Sequence, residues 1–349
     1  MVKGEVTEQQ ALCCGNKPPR CSVVMPVYNT PQEFLRAAVQ SVLSQSFTDF
    51  ELIVVDDCSE PYVKEFFDAC ADARVRYLRM AAQSGAAVAR NRALESARGE
   101  FVAFMDADDI SLPERFAKQV AFLDAHPEVS CLGTEYKIFD GQRFKKAPAV
   151  PHDHEGIVSY LLFCGCAFCQ SGVMLRRAVL EQPTPLRYRE HFAAAHDCAL
   201  WFDLIGRARF AILGEVLVHY RVHRESISRR SHALQVRKMA EAQAELLARF
   251  GSPLPSAETW PALLSGATLS RQEYATLSRC LEQAADALHA QLGYAESSIL
   301  PALRQRVRKA FLRTRSVRGQ WGLWHMPVRR RVRLSLPWCI FCFVTRGIL

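Results

Sequence analysis

Four apolar runs punctuate the chain up to residue 105: Cys21–Val27, Phe50–Val55, Val75–Leu78 and Phe101–Met105. Each is short and nearly continuous, as in strands covered on both faces. Between them the period changes from two to between three and four. Phe34, Leu35, Ala38, Val39, Val42 and Leu43 form one apolar helical face after Thr30-Pro31-Gln32-Glu33. That tetrapeptide reads as a helix start with Thr30 as N-cap, Pro31 at the first position and Glu33 closing a capping box. Pro61 to Ala71 and Gly85 to Leu94 read as two further helices. The order β-α-β-α-β-α-β predicts an α/β fold, a mostly parallel sheet with right-handed crossovers and helices on both faces. Farther on, Gln170 to Leu175 leads into another strand returning toward the same edge. Helical spacing resumes over Met239–Phe250 and Gln272–Leu292, joined by a Pro-containing connection at Ser252–Pro261. The expected organisation is a lead-in over 1–20 without regular structure, an α/β domain over 21–232, a helical extension over 233–300, and a distinct segment over 301–349.

Two of the apolar runs end in acids. Phe101–Met105 stops on Asp106-Ala107-Asp108-Asp109, and Phe50–Val55 stops on Asp56-Asp57. The carboxyl edge of such a sheet is where α/β proteins bind ligands. If extended geometry persists, Asp106 and Asp108 share a face. Two carboxylates there suit a Mg²⁺- or Mn²⁺-like ion with positions open for phosphate oxygens. The rival reading is an acidic turn capping a helix that begins near Ser111. A further acid, Asp197, lies at a helix start within His191–Trp201, where the dipole favours negative charge. Arg221 and His223 lie close together in Tyr220–Ser228; a neutral imidazole can ligate a metal, and a guanidinium can pair with phosphate.

The order of these pieces resembles the family 2 glycosyltransferases, inverting enzymes of the GT-A fold. The resemblance runs from Ser22 to about Ser228, about 60% of the chain. It rests on Val24–Asn29, Val54–Ser59, Gly85–Leu94, Phe104–Asp109, His196–Trp201 and Tyr220–Ser228, six motifs in order. It implies that Pro26 and Tyr28 line a nucleotide cleft, that Asp57 hydrogen-bonds the base, and that Arg90 lies near the nucleotide or its phosphates. Asp106 and Asp108 would hold a metal–diphosphate, with Asp108 the direct ligand and His223 a third ligand. Arg221 would pair with phosphate, and Asp197 would be the general base. One position departs from the pattern: the residue before the base is commonly Glu and here is His196, which bears on acceptor recognition and on the base's surroundings.

Other features add less. Gly85–Arg90 is no Gly-x-Gly-x-x-Gly fingerprint, which argues against a dehydrogenase. His152-Asp153-His154 sits among prolines and a glycine and reads as a solvated loop. Thirteen cysteines, odd in number and scattered, fit reduced thiols of a cytosolic protein rather than a zinc framework. The Cys164–Cys169 loop is expected at the acceptor entrance. No signal-peptide core and no apolar stretch of spanning length occurs. The charge is lopsided: of 44 basic residues, 12 lie in 301–349, where there is no Asp or Glu, leaving 32 basic against 36 acidic before it. Arg329-Arg330-Arg331 beside Trp321, Trp324 and the apolar Leu334–Val344 suits an anionic membrane surface better than nucleic acid. The expected protein is thus a Mn²⁺- or Mg²⁺-dependent inverting glycosyltransferase, cytoplasmic and peripheral at the inner membrane face. Its partners would be a nucleotide-diphosphate-sugar donor and a glycan or lipid-linked acceptor in cell-surface polysaccharide or lipopolysaccharide synthesis. The alternatives are a haloacid-dehalogenase-like phosphatase and a non-catalytic sugar-nucleotide-binding protein.

Overall fold

The structure is a computed structural model that describes residues 7–9, 17–223, 232–251 and 270–313. Two compact units share these residues, one within Met1–His152 and Phe168–Arg230, the other within Asp153–Ala167 and Ser231–Leu349.

The first unit is built on a ten-stranded sheet. Strands β2 (Cys21–Val27), β3 (Phe50–Asp56), β4 (Val75–Arg79) and β5 (Phe101–Phe104) lie parallel in the order β4-β3-β2-β5. Helices α1 (Gln32–Leu43), α2 (Pro61–Asp68) and α3 (Ala86–Ser96) are the crossovers. Alternate residues divide the strands between two faces. Val23, Met25, Leu52, Val54, Phe101 and Ala103 share one core with Leu35, Ala38 and Val42 of α1 and with Phe116 and Val120 of α4 (Arg115–Ala125). Val24, Ile53 and Phe104 are equally buried on the opposite face, where α3 packs against β2 and β3. Burial on both faces is why these strands read as continuous apolar runs.

Beyond β5 the sheet changes character. The short β9 (Met174–Arg176) inserts antiparallel between β5 and β7 (Cys131–Phe139). The long β10 (Phe210–Arg221) then runs parallel to β7 and carries β6 (Ile110–Ser111) antiparallel on its far edge. β8 (Phe144–Lys146) pairs only with β7. Six strands, β2, β3, β4, β5, β7 and β10, point the same way, so the expected mostly parallel sheet is present.

Several local expectations differ. Thr7–Gln9, within the stretch expected to lack regular structure, is strand β1, antiparallel to β4 with Glu8 opposite Leu78. An open sheet edge offers unpaired backbone groups, and a three-residue strand suffices to use them. The capping box at α1 does not form: the helix begins at Gln32, and Pro31 O accepts from Phe34 N and Leu35 N. Thr30 is therefore one residue too early to cap, and its carbonyl accepts instead from Tyr62 Oη. His152-Asp153-His154 is no plain loop, for Asp153 caps α5 (His154–Phe163) by accepting from Gly156 N at 2.9 Å.

The second unit contains α5, α8 (His232–Arg249), α9 (Arg271–Leu292) and α10 (Glu296–Arg313). The later change of unit falls at Arg230/Ser231, close to residue 232, while the excursion Asp153–Ala167, which groups α5 with the later helices, is absent from the sequence reading. Every residue of α5 from Gly156 to Phe163 is buried. Gln243 Nε2 donates to Leu161 O and Leu162 O at 3.0 and 3.2 Å, and Cys164 Sγ lies 3.3 Å from Ala302 O. The Cys164–Cys169 loop is divided between the units after Ala167. Among the described residues no helix is long and apolar enough to cross a membrane. Residues 314–349, with the tryptophans and the arginine triplet, lie outside the described residues.

Candidate active site

The parallel strands deliver their carboxyl ends to one edge. At the end of β2, Pro26 is half-buried and Tyr28 is 46% exposed. Asn29 has a left-handed backbone (φ 47°). Its N–H donates to Ser59 Oγ at 3.0 Å and its Oδ1 accepts from Glu60 N at 2.8 Å, so the loops after β2 and β3 are tied together.

The two acids ending β3 have separate fates. Asp56 is fully buried and accepts from Tyr77 Oη at 2.5 Å, Arg79 Nη1 at 2.5 Å and Ser59 N at 2.8 Å. Its carboxylate is consumed in holding the strand ends. Asp57 accepts from Ser84 N at 2.7 Å and Gly85 N at 2.8 Å, fastening the turn that opens α3, where Gly85 has φ 98°. Burial raises the Asp57 pKa against the pull of those two N–H groups.

Extended geometry ends at Phe104. Asp106 to Asp109 fold as a turn in which Asp109 N donates to Asp106 O at 3.3 Å, so the shared-face argument for Asp106 and Asp108 does not hold. The turn nevertheless leaves both side chains partly open, 25% and 27% exposed. Burial and the charge of Asp106 raise the Asp108 pKa, while His223 lowers it. His223 Nε2 stands 3.0 Å from Asp108 Oδ2. Arg221 Nε donates to Asp108 O at 2.7 Å, and its guanidinium lies over the rings of Phe34 and Phe139, 4.4 and 5.1 Å from the centroids.

Asp109, the last acid of the Phe104–Asp109 motif and given no role by the sequence reading, organises this corner. It is fully buried and accepts from Arg221 N at 2.7 Å and Ser171 Oγ at 2.5 Å. Ser171 Oγ in turn accepts from Asp106 N at 3.0 Å. One carboxyl therefore joins the β5 turn, the end of β10 and the 3₁₀ turn Gln170–Gly172.

Arg90, buried on α3, completes the arrangement. Its guanidinium pairs with Asp106 Oδ1, and Nη1 lies 2.5 Å from His196 Nε2. Burial opposes its charge, but Asp106 and Asp197, with Tyr188, hold it protonated. His196 opens α7 (His196–Asp203) after Ala195, another left-handed residue at φ 56°. Burial first, and the Arg90 charge second, push its pKa down to about 3; the ring is neutral and accepts from Arg90. Asp197 is half-buried in the first turn of α7, within electrostatic reach of Arg90. Beneath lies Tyr188, whose backbone is clamped by Asn91: Tyr188 N donates to Asn91 Oδ1 at 2.8 Å and Asn91 Nδ2 to Tyr188 O at 2.9 Å. No sequence signal marked Tyr188 or Ser171, since their partners lie 97 and 62 to 65 residues away.

The donor set suits a divalent cation. Asp106 and Asp108 are partly open oxygen donors, the charge of Asp106 makes Asp108 harder to ionise, and an imidazole adjoins Asp108. Hard oxygen ligands beside a nitrogen match Mn²⁺ or Mg²⁺.

Comparison with known proteins bears on the family and the fold. The family model for Glycosyl transferase family 2 matches residues 22–182. The putative teichuronic acid biosynthesis glycosyltransferase TuaG of Bacillus subtilis is 31% identical over 61% of this chain and 83% of its own length. The fold is similar to that of S. aureus TarS 1–349 solved with UDP-GlcNAc, with a TM-score of 0.57 at 18% identity over 91% of this chain and 93% of that one. It is also similar to the mannosyltransferase PcManGT of Pyrobaculum calidifontis, solved with GDP-Man and Mn²⁺, with a TM-score of 0.50 at 18% identity over 92% and 89%.

Proposed function

The chain belongs to glycosyl transferase family 2 and is a nucleotide-sugar-dependent glycosyltransferase, and from that premise we propose that it transfers its sugar with inversion, with the help of a divalent metal. The observation that carries this reading is Arg90, one buried guanidinium that touches Asp106 on the donor side and His196 beside Asp197. Asp106, Asp108 and His223 would hold Mn²⁺ or Mg²⁺, which when bound neutralises charge growing on the leaving diphosphate. Pro26 and Tyr28 border the nucleotide, Asp57 reaches the base directly or through the turn it fastens, and Arg221 faces the phosphates.

Asp197 is the base. Its carboxylate takes the acceptor hydroxyl proton as that oxygen bonds to the anomeric carbon, while the bond from that carbon to the nucleoside diphosphate breaks on the opposite face. Neutral His196 leaves Asp197 without a competing acid as its immediate neighbour on the helix. The phosphatase alternative gives no part to Asp57, His196 or Asp197, and the scaffold alternative gives none to an acid at a helix start across from the donor acids.

The acceptor is a lipid-linked or growing glycan of a cell-surface polysaccharide, a reading supported by the likeness to TuaG. The enzyme would meet it at an anionic membrane surface.

The test is a panel of UDP-, GDP- and dTDP-sugars with Mn²⁺ or EDTA, read as donor turnover and thermal stabilisation. Asp197→Asn should still be stabilised by donor and lose transfer by roughly 10²–10⁴-fold. Retained turnover at saturating donor would remove Asp197 from the base role.

A further inference from the structure

The β7–β8 hairpin projects from the sheet next to the site. The register sets Phe139 opposite Phe144 and Lys137 opposite Lys146; on the other side of β7 it sets Phe139 beside Arg221 and Lys137 beside His219. Directly paired residues share a face. That face therefore carries a continuous row: Arg221, then Phe139, then Phe144 stacked on it at 4.8 Å and tilted against His219 at 4.6 Å. The row begins at the arginine beside the Asp106–Asp108 turn and ends in solvent.

Its outer end is unusual for a protein surface. Phe144 is 52% exposed, the most exposed large apolar side chain among the described residues. All residues from Asp140 to Lys146 are exposed. Within the segment 137–146, Lys137, Arg143, Lys145 and Lys146 stand with a single acid, Asp140. That acid is occupied in shaping the turn, accepting from Gln142 N at 3.2 Å and Arg143 N at 2.9 Å. His219 is held neutral by burial and by Lys137, so it reads as part of the aromatic row.

An exposed phenylalanine at a projecting tip, ringed by cations on long apolar stems, matches the boundary between headgroups and acyl chains of an anionic bilayer. The geometry points to the β7–β8 hairpin as a membrane-docking element that seats Phe144 in an anionic lipid surface and so brings the Arg221 edge of the active site to headgroup level. This deepens the reading of a lipid-linked acceptor and rests on it: an acceptor anchored in lipid presents its sugar at that level.

The test is co-sedimentation of the full chain with phosphatidylcholine vesicles, with and without one-third phosphatidylglycerol. The wild-type chain should partition onto the anionic vesicles and leave the neutral ones. The doubly substituted Lys145→Ala, Lys146→Ala chain should partition about 30-fold less well at low salt, from roughly 1 kcal/mol per basic residue near the surface. Phe144→Ser should lower the part of the binding that survives high salt. All three positions are exposed, so melting temperatures should match the wild type. Turnover of a soluble acceptor analogue should be unchanged, while turnover of a vesicle-embedded acceptor should fall with partition. Equal partition of wild type and variants would overturn the proposal, as would equal binding to neutral and anionic vesicles. Sedimentation does not read catalysis, so failure here is separable from failure of the transfer reaction.

Discussion

Arg90 and His196 show how one side chain sets the state of another. A histidine buried against a guanidinium takes its proton only near pH 3, against an ordinary 6.5. The unfolded chain binds that proton first, so His196 withdraws stability as pH falls from about 6.5 toward about 3, at about 1.4 kcal/mol per pH unit. His196→Gln keeps an acceptor for Arg90 and cannot titrate. Urea unfolding at pH 6 and pH 5 should show a smaller loss for the variant than for the wild type; parallel losses would mean that the ring is protonated in the folded enzyme. Asp108 carries a separate expectation. Asp108→Asn keeps the shape of the turn, since Arg221 binds the backbone oxygen of residue 108 and not its side chain. It should fold normally yet lose the Mn²⁺-dependent part of the rise in melting temperature that donor produces. Full activity of this variant in Mn²⁺ would remove Asp108 from the metal site. Both acids were legible as a motif at the end of an apolar run. The role of Asp109 in the same motif was not, because its partners Ser171 and Arg221 come from distant segments that only the folded sheet assembles.

Elements were legible where burial imposed a period. The first four parallel strands and three crossover helices emerge from apolar runs of the right length, since both faces of that half-sheet are covered. Ends were less so: the start of α1 follows which carbonyl receives the first helical N–H groups, and Pro31 takes that role from Thr30. β9 is three residues long and antiparallel, so almost nothing local distinguishes it. The join between β2 and β5 also depends on a close approach invisible in sequence. A Cβ at Gly99 would lie 2.6 Å from Ser22 N and 2.7 Å from the carbonyl carbon of Cys21. Both atoms are backbone, so a strand would have to move. Gly99→Ala should therefore cost about 1–3 kcal/mol in denaturant unfolding, the range for overpacked sites. The strain falls at the opposite ends of β2 and β5 from Pro26 and Asp106, so the KM for donor should change little. A variant as stable as wild type would show that the two strand starts can separate freely.

For the whole molecule, the uneven charge was plain in sequence, but the division into units was not. The chain leaves the sheet unit after His152 and returns at Phe168, because α5 is too apolar to be covered from one side. That changes where the C-terminal segment can be cut. Ile299, Ala302 and Leu303 of α10 are buried, and Cys164 lies against Ala302 O. Removing everything after residue 300 would strip a packed helix from α5 and expose its apolar surface. A chain ending at Arg313 keeps α10 entire, yet removes Trp321, Trp324, the arginine triplet and the Leu334–Val344 run. If those residues bind an anionic surface, the chain ending at 313 should melt as the full chain does and turn over a soluble acceptor analogue normally. It should also partition more weakly onto phosphatidylglycerol-containing vesicles. What binding remains should be salt-sensitive, since the lysines of the β7–β8 hairpin are screened over about 10 Å at 0.1 M salt. The chain ending at 300 should instead melt lower or aggregate. Undiminished vesicle binding by the chain ending at 313 would mean that the C-terminal segment is no anchor, leaving attachment to the folded units alone.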